Sequence, residues 1–559
     1  MVNSRVPVQT VDGSEAMIAA LRDPRCFPHP VERVTLLETH ISWVLLTGRY
    51  AYKLKKPVAL GFLDFSTLEA RRTACEEELR LNRRTAPDLY LEVVPVTGTA
   101  TEPRLGGEGR AIDYAVKMCE FPQDALLDRV AARGELAPAL MDDLAAEVAS
   151  FHAGVARAGP GSELGSPDNV IALARQNFDQ LRSLGPDSAS TAALQRLAAW
   201  TEREFAHRER VFAARRDAGF VRECHGDLHL RNLLLLDGRI VPFDCIEFNA
   251  SLRWIDVMSE VAFVVMDLAD HGFPAHAGRF LDAYLEETGD YAGLACLRFY
   301  LVYRAMVRAK VASMRAHQLP AGALERVQAE RELRDYLRLA KRFVALERRA
   351  LILTRGLSGS GKTVFSGLLV EELGAIRVRS DVERKRLHGR AANDRSAAAL
   401  GGGIYAQEAT RRTYARLREI ARMVLDAGFP AVADATFLRR ADRDAMRALA
   451  REAGANFAIA ACEAPEPVLR ERIVARARAG GDASEANLDV LAKQLATAEP
   501  LADAELDVAV GVDTSLDRDA LRVRAATLGA GLGVDGLRPA PARARDRGSS
   551  KARGRRPSR

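Results

Sequence analysis

The 559-residue sequence predicts an α+β module followed by an α/β module with a doubly wound parallel sheet, and three observations carry that reading. Between Val34 and Lys117 apolar residues alternate with polar ones in four short stretches, the period-2 pattern of strands with one buried face. From about Asp124 to Glu347 the apolar spacing turns helical. From Arg349 to about Leu532 short apolar runs alternate with helical segments, the order that builds a parallel sheet covered on both faces.

The strands of the first module are Ser42–Thr47, Arg49–Val58, Leu91–Thr97 and Ala111–Met118, with a charged helix over Thr67–Arg84 between the second and third. They make a small lobe of about residues 30–118, before a helical lobe of about 119–345. Inside the helical stretch, Leu233–Phe243 is an apolar run broken at Asp237-Gly238, a dipeptide suited to a tight hairpin turn. The segment Leu324–Arg348 is so charged that the first module, residues 1–345, is expected to end with it. The second module, 349–532, opens with the strand Ala350–Thr354 and a Gly-rich loop, and places further strands at Ala431–Ala433 and Phe457–Ala461. No internal repeat is present.

Composition excludes several classes. Apolar residues are 48% and charged residues 28% of the chain, the balance of a soluble globular protein. No apolar stretch reaches the roughly 18 residues of a spanning helix; the nearest, Val257–Leu268, carries Glu260 and Asp267. The first 20 residues lack the basic start and apolar core of a secretory signal. The seven cysteines are odd in number and form no CxxC pair, against both a disulfide framework and a zinc knuckle. A cytoplasmic protein with reduced thiols and no membrane partner is expected. The net charge of +6 is local: residues 536–559 hold nine Lys or Arg against Asp546 alone, so the rest of the chain carries −2. That Pro-, Gly- and Arg-rich tail has nothing to bury and is expected to be disordered, a solvated extension in preference to a nucleic-acid-binding arm.

Gly356-Leu-Ser358-Gly359-Ser360-Gly361-Lys362-Thr363 matches GxxxxGK[ST] in full, between a strand and a helix. Backbone N–H groups of such a loop cradle phosphates, Lys362 would reach the terminal phosphates, and Thr363 would ligate Mg²⁺. Pro430-Ala-Val-Ala-Asp434 is an apolar strand ending in a carboxylate, suited to the same Mg²⁺. Ser380-Asp381 follows the apolar-basic run from Ile376, with Arg384 one turn on. Asp381 reads equally as the base that takes an acceptor's proton and as a helix N-cap, a role Ser380 could also fill. Arg470, Arg472, Arg476 and Arg478 crowd one helix, and Arg472 and Arg476 share a face at i, i+4. They read either as a solvated basic face or as a lid that stabilises charge on a transferring phosphoryl group.

Together these residues resemble the small P-loop kinases related to polynucleotide kinase, zeta-toxin-like and gluconate-type kinases, over about 180 residues of the chain. The resemblance implies that Asp381 acts as the base, that Arg384 binds the acceptor, and that Arg472 and Arg476 belong to the lid.

A second motif lies 130 residues upstream: His225-Gly226-Asp227-Leu-His229-Leu-Arg-Asn232. Asp and Asn five apart in a loop mirror the kinase catalytic loop, where Asp accepts the hydroxyl proton and Asn holds Mg²⁺. Asp244 follows Asn232 by twelve residues, after the hairpin, and suits a second metal contact. Upstream, Ala51-Tyr52-Lys53 ends a strand, and Glu76, Glu77 or Glu78 on the next helix could pair with its lysine; Lys53 and Glu78 are the favoured pair, with Lys55 and Lys56 the competing lysines. Met118–Phe121 would be the hinge against which adenine packs, and Asp256 a support for the catalytic loop. The turn Thr47-Gly48-Arg49, read as the phosphate-covering loop, holds one glycine and no GxGxxG, which departs from the protein-kinase pattern.

This region resembles the aminoglycoside phosphotransferase and choline kinase superfamily over about 300 residues, in the bacterial branch where such a domain is fused to a C-terminal P-loop kinase. The resemblance implies a bilobal protein-kinase-like fold. It implies two phosphotransferase sites, each passing the γ-phosphoryl of Mg²⁺-ATP to a hydroxyl acceptor, most readily a small molecule. The rival expectation is a regulatory protein, with a nucleotide-sensing pseudokinase in front of a hydrolytic P-loop switch.

Overall fold

The computed structural model describes residues 12–60, 63–345, 348–392, 394, 404, 406–479 and 483–534; the basic tail lies outside them. The chain begins with helix α1 (Asp12–Ala20), then strands β1 (Thr35–Glu38), β2 (Ser42–Leu46) and β3 (Tyr50–Lys55). A short hairpin, β4 (Ala59–Leu60) and β5 (Leu63–Asp64), leads to α2 (Leu68–Asn82), β6 (Tyr90–Gly98), β7 (Pro103–Leu105) and β8 (Ala111–Cys119). Apart from the hairpin, these strands form one antiparallel sheet in the order β1-β2-β3-β8-β6-β7. The alternation in β3 decides what each face does. Tyr52 and Leu54 pack with Trp43 and Leu45 under α1, while Ala51 faces the core that holds Cys75 of α2. Lys53 and Lys55 share that second face, so both ammonium groups are aimed at α2.

The helical lobe contains α3 (Leu127–Arg133), α4 (Leu140–Gly154), α5 (Pro167–Ser183) and α6 (Ser188–Asp217), then β9 (Val221–Glu223). The hairpin β10 (Leu233–Leu236) and β11 (Arg239–Pro242) turns at Asp237-Gly238, both at positive φ, as the dipeptide predicts. After α7 (Ala250–Arg253), strand β12 (Trp254–Asp256) pairs with β9. Helices α8 (Val257–Asp270), α9 (Pro274–Thr288), α10 (Leu294–Gln318) and α11 (Leu324–Val344) complete the lobe. Helix α8 contains the apolar run nearest in length to a membrane span, and it is a core helix: every residue from Val257 to Ala269 is buried. Among the described residues no helix is long and apolar enough to cross a membrane.

The C-terminal module runs β13 (Ala350–Arg355), α12 (Lys362–Leu373), β14 (Ile376–Arg379), α13 (Ser380–Arg386), α14 (Gln407–Asp426), β15 (Ala431–Asp434), α15 (Arg440–Glu452) and β16 (Asn456–Glu463). It ends with α16 (Glu466–Ala479), α17 (Leu488–Thr497), α18 (Asp503–Leu506), β17 (Ala509–Asp513) and α19 (Arg518–Gly531). The five strands are parallel, in the order β14-β15-β13-β16-β17, so the doubly wound expectation holds. One face of the sheet, with Ile352, Val432 and Ala460, packs on Leu368 of α12 and Leu528 of α19. The other face, with Leu351 and Leu353, packs on Leu417, Ile420 and Val424 of α14, and this core continues without a break into Leu297 and Leu301 of α10. Each such leucine stabilises the fold by about 1.5–3 kcal/mol when fully buried.

Ion pairs reinforce the joint. Asp282 and Glu286 on α9 reach across to β14: Asp282 accepts from the Arg377 guanidinium at 2.8 Å and from its backbone N–H at 3.1 Å, and Glu286 pairs with Arg379 at 2.8 Å. Arg377 and Arg379 flank Val378 on the strand that ends at Ser380-Asp381.

Candidate functional site

Two sites emerge, one in each module. In the first, Lys53 Nζ lies 2.7 Å from Glu78 Oε1 and 2.5 Å from Asp244 Oδ1, linking the small lobe to the segment after β11. Lys55 takes the other Glu78 oxygen at 2.5 Å and also pairs with Glu247. The sequence leaves Lys53 and Lys55 as competitors for Glu78; in the fold both bind it, one on each oxygen. Lys53 keeps a small exposed side-chain surface, whereas Lys55 and Glu78 have none. Burial alone would raise the Glu78 carboxyl, but the two ammonium groups hold it down at about 2.

The motif around Asp227 is fixed from below by α8. Gly226 sits at φ 90°, where a Cβ would come within 2.8 Å of the Leu252 carbonyl. Its N–H donates to Glu260 at 2.7 Å; the other Glu260 oxygen bonds His152 Nε2 at 2.8 Å, and His152 Nδ1 lies 2.9 Å from the Tyr284 hydroxyl. Leu230 N–H donates to Asp267 at 2.9 Å. The two acids that interrupt the apolar run of α8 are therefore the anchors of the His225–Asn232 loop. Asp256, expected to support the loop, makes no direct bond to it: it pairs with Arg215 at 2.7 and 2.8 Å and caps α8, the helix that carries the two anchors, through the Met258 N–H.

Asn232 Nδ2 donates to the Asp227 backbone carbonyl at 2.9 Å and to its carboxylate at 3.0 Å. His229 Nε2 lies 3.3 Å from the same carboxylate, and Arg308 lies 3.4 Å beyond His229. Burial would raise the Asp227 carboxyl; His229 and Arg308 overcome it and hold the group far below the usual carboxylate range. Asp244 adopts φ 65°, a left-handed conformation rare for a residue with a Cβ, and is held there by its N–H donating to the Tyr90 hydroxyl at 3.2 Å. The next residue, Cys245, donates its N–H to Asn82 at 2.8 Å. Strain of this kind concentrates at functional positions.

The turn Thr47–Arg49 joins β2 to β3 at the end away from Lys55, and its Gly48 N–H is bound by Glu120 of the expected hinge at 2.7 Å. The turn at the Lys55 end is Thr39–Ile41, between β1 and β2, and contains no glycine. The turn that would cover phosphates is thus not the one the sequence suggested, because β1 went unseen. At the hinge, Phe121 packs edge-on against Phe243 with centroids 5.2 Å apart.

In the second module a cavity of about 460 Å³ gathers Ser358, Gly359, Gly361, Lys362, Thr363, Asp381, Arg384, Asp434, Arg472 and Arg476, ten of the residues singled out in the sequence. Gly356 and Ser360 stand behind the loop: a Cβ at Gly356 would lie 2.4 Å from the Cys462 carbonyl, and Ser360 is buried. Gly359 and Gly361, at φ 82° and 76°, approach Leu469 and Thr514 too closely for any side chain. Lys362 Nζ donates to the Leu357 carbonyl at 2.7 Å, and burial lowers its pKa. Asp434, at the end of β15, accepts from Ser366 at 2.8 Å.

Asp381 occupies the second residue of α13, whose N-cap is Arg379. Neither Ser380 nor Asp381 is therefore the cap that sequence reasoning set against the base. Arg384 is buried and donates to the Ile404 carbonyl at 3.1 Å and to Thr410 at 3.2 Å. Arg472 donates to Thr514 at 3.0 and 2.8 Å and Arg476 to the Ala486 carbonyl at 3.0 Å, while Arg470 pairs with Glu466 on the surface at 2.7 Å. Only half of the arginine cluster thus faces the cavity; Arg478 is exposed.

Sequence reasoning missed several participants. Gln494 of α17 accepts the Ser358 N–H at 2.8 Å, closing over the loop, and Tyr414 Oη meets Thr436 Oγ1 at 3.2 Å in the cavity wall. Neither belongs to a motif. Glu247 escaped for the same reason, although its place three residues after Asp244 was a usable signal.

Residues 69–300 match the model of the phosphotransferase enzyme family, and residues 351–501 match that of an AAA domain. Uncharacterized proteins of Mycobacterium tuberculosis and Mycobacterium bovis are 29% identical over 510 residues, covering 90% of this chain and 97% of theirs. Among solved structures, a sugar kinase from Janibacter sp. is 23% identical with a TM-score of 0.26, covering 33% of this chain and 95% of its own. A choline/ethanolamine kinase family protein from Mesorhizobium loti is 12% identical with a TM-score of 0.36, covering 59% of this chain and 97% of its own. The two modules of the chain thus carry separate family matches, the first to the phosphotransferase enzyme family and the second to an AAA domain.

Proposed function

We propose that the protein is a bifunctional, Mg²⁺- and ATP-dependent phosphotransferase, with residues 1–345 and 349–532 each transferring the γ-phosphoryl group to a hydroxyl of a small molecule. The observation that carries the reading is the bridge from Lys53 to both Glu78 and Asp244, which sets the phosphate-binding lysine against a metal-binding carboxylate, with Asp227 and Asn232 joined to each other close by. In this module Asp227 is the base. The low proton affinity of Asp227 keeps it ionised at neutral pH, so that it orients the acceptor hydroxyl and takes its proton late in transfer.

In the second module Lys362 and the loop N–H groups hold the phosphates, Asp381 takes the acceptor's proton, Arg384 lines the acceptor side, and Arg472 and Arg476 face the transferring group. Both donor sets suit Mg²⁺, a hard cation that takes oxygen ligands: Asn232 and Asp244 in the first site, Thr363 and Asp434 in the second. Among the described residues the Asn232 carboxamide oxygen accepts no hydrogen bond, its nitrogen being the group that holds Asp227. Bound there, Mg²⁺ would neutralise charge on the β- and γ-phosphates.

The test is a screen of cell extract with γ-labelled ATP and the purified protein, repeated with Asp227→Ala and Lys362→Ala. Two labelled products, each lost with one variant, support the proposal; ATP hydrolysis with no labelled acceptor refutes it. That second outcome is what the regulatory reading predicts, and the glycine-free Thr39–Ile41 turn is the observation in its favour.

A further inference from the structure

At the opposite end of β13, between the helical lobe and the C-terminal module, lies a cavity of about 340 Å³ that none of this chemistry uses. Trp200, Arg203 and Arg208 line it from α6 and Arg298 from α10; Arg349, just before β13, and the turn after α14 line it from the other module. The phosphate loop follows the far end of β13, so six strand residues, about 20 Å of chain, separate the two cavities.

Arg298 is the anomaly. It is 9% exposed, its Nε is sealed from solvent without an acceptor, and among the described residues its guanidinium has neither a hydrogen bond nor an ion pair. Every other buried arginine has at least one partner, although Arg304 and Arg384 each also leave one nitrogen sealed without an acceptor. Arg71, Arg215, Arg253 and Arg443 pair with carboxylates, and Arg304 and Arg384 donate to backbone carbonyls. An arginine remains charged at every accessible pH, so a buried one without a partner is costly unless an anion is supplied.

The cavity wall does not supply it. Its two carboxylates face four arginines: Glu204 is engaged by Arg208 at 3.5 Å, and Asp426 is exposed, with its carbonyl accepting from Arg208 at 3.3 Å. The residual charge is positive, and the volume is at the lower end of the range for small-molecule sites.

We infer that this cavity binds a small, multiply charged oxyanion, a phosphate ester or pyrophosphate, with Arg298 as its buried anchor and Arg203 at its rim. The planar guanidinium fork matches two oxygens of such a group, which a single halide would not satisfy. Because the wall comes from both modules, the bound anion also ties α10 of the kinase-like lobe to the start of β13.

The test uses the full-length protein carrying Lys362→Ala, in EDTA, to weaken competition from the two nucleotide sites. Inorganic pyrophosphate is titrated calorimetrically. Adding Arg298→Met should weaken binding roughly 10- to 100-fold, the loss of a charge-assisted pair of hydrogen bonds. Without ligand, the melting temperature of that variant should match or exceed its parent's, since an unpaired buried charge has gone. Arg203→Ala, an exposed position, should also weaken binding, at an unchanged melting temperature, and it serves as the readout if Arg298→Met does not fold. Pyrophosphate affinity indifferent to both substitutions would overturn the inference, as would unchanged affinity in Arg203→Ala beside an Arg298→Met protein that fails to fold.

Discussion

Replacing Glu78 by Gln removes one charge from a group of five in which two lysines share one buried carboxylate. The fold holds that carboxyl at about 2 against an ordinary 4.5, a difference equivalent to about 3 kcal/mol of folding stability. The side chain is fully buried, so solvent does not screen the pair. The direction follows from the depressed value: the contribution is complete above pH 4.5 and disappears as pH falls through 2. Glu78→Gln should therefore lower stability by about 3 kcal/mol at pH 7, and by about half as much at pH 3. Urea denaturation of wild type and variant at the two pH values measures both gaps. ATP affinity of the N-terminal site should fall as well, because Lys53 is left with Asp244 as its anionic partner. A cost at pH 7 within about 0.5 kcal/mol of zero, the range of ordinary surface substitutions, would refute the reasoning, as would a gap that does not shrink in acid.

Three further outcomes are expected. Asp227→Ala should abolish transfer by the first module and leave ATP binding at the second intact, with Lys362→Ala doing the reverse; loss of both from one substitution in a folded protein would point to a composite site. Asp381→Asn should slow transfer by the second module roughly 10²–10⁴-fold, the usual worth of a general base, with ATP affinity unchanged; single-turnover transfer at the wild-type rate would remove Asp381 from the chemistry. Gly361→Ala puts a Cβ 2.7 Å from Thr514 at φ 76°, so equilibrium dialysis should find nucleotide binding at the second site lost.

The parts of the molecule that were legible in the sequence are those where the chemistry is local. Gly356–Thr363 and His225–Asn232 are contiguous, and their backbone demands dictate residue types at fixed spacing. The same holds for the strand alternation that puts Lys53 and Lys55 on one face, but alternation could not say that a single glutamate would serve both. Strand β1 was invisible because Thr35–Glu38 is an edge strand, mostly exposed on both faces, and carries no period. Missing it displaced the turn assigned over the phosphates. The partner of Asp256, Arg215, lies on α6, and nothing in a linear reading links the two. Gln494 reaches the phosphate loop from α17, more than 130 residues later, with an uncharged side chain that no motif marks.

The pairing of Asp282 and Glu286 with Arg377 and Arg379 changes what counts as a unit of inheritance in this protein. The strand that delivers Asp381 is braced from the shoulder of the neighbouring kinase, and the sheet beneath it shares that neighbour's apolar interior. A gene fragment starting at residue 349 would therefore encode an incomplete catalyst, with two arginines and the α14 face stripped of their counterparts. Drift in α9 would register as altered transfer by a domain to which α9 does not belong. The two modules carry separate motifs but share one interior: whatever preserves the fold of one bears on the other.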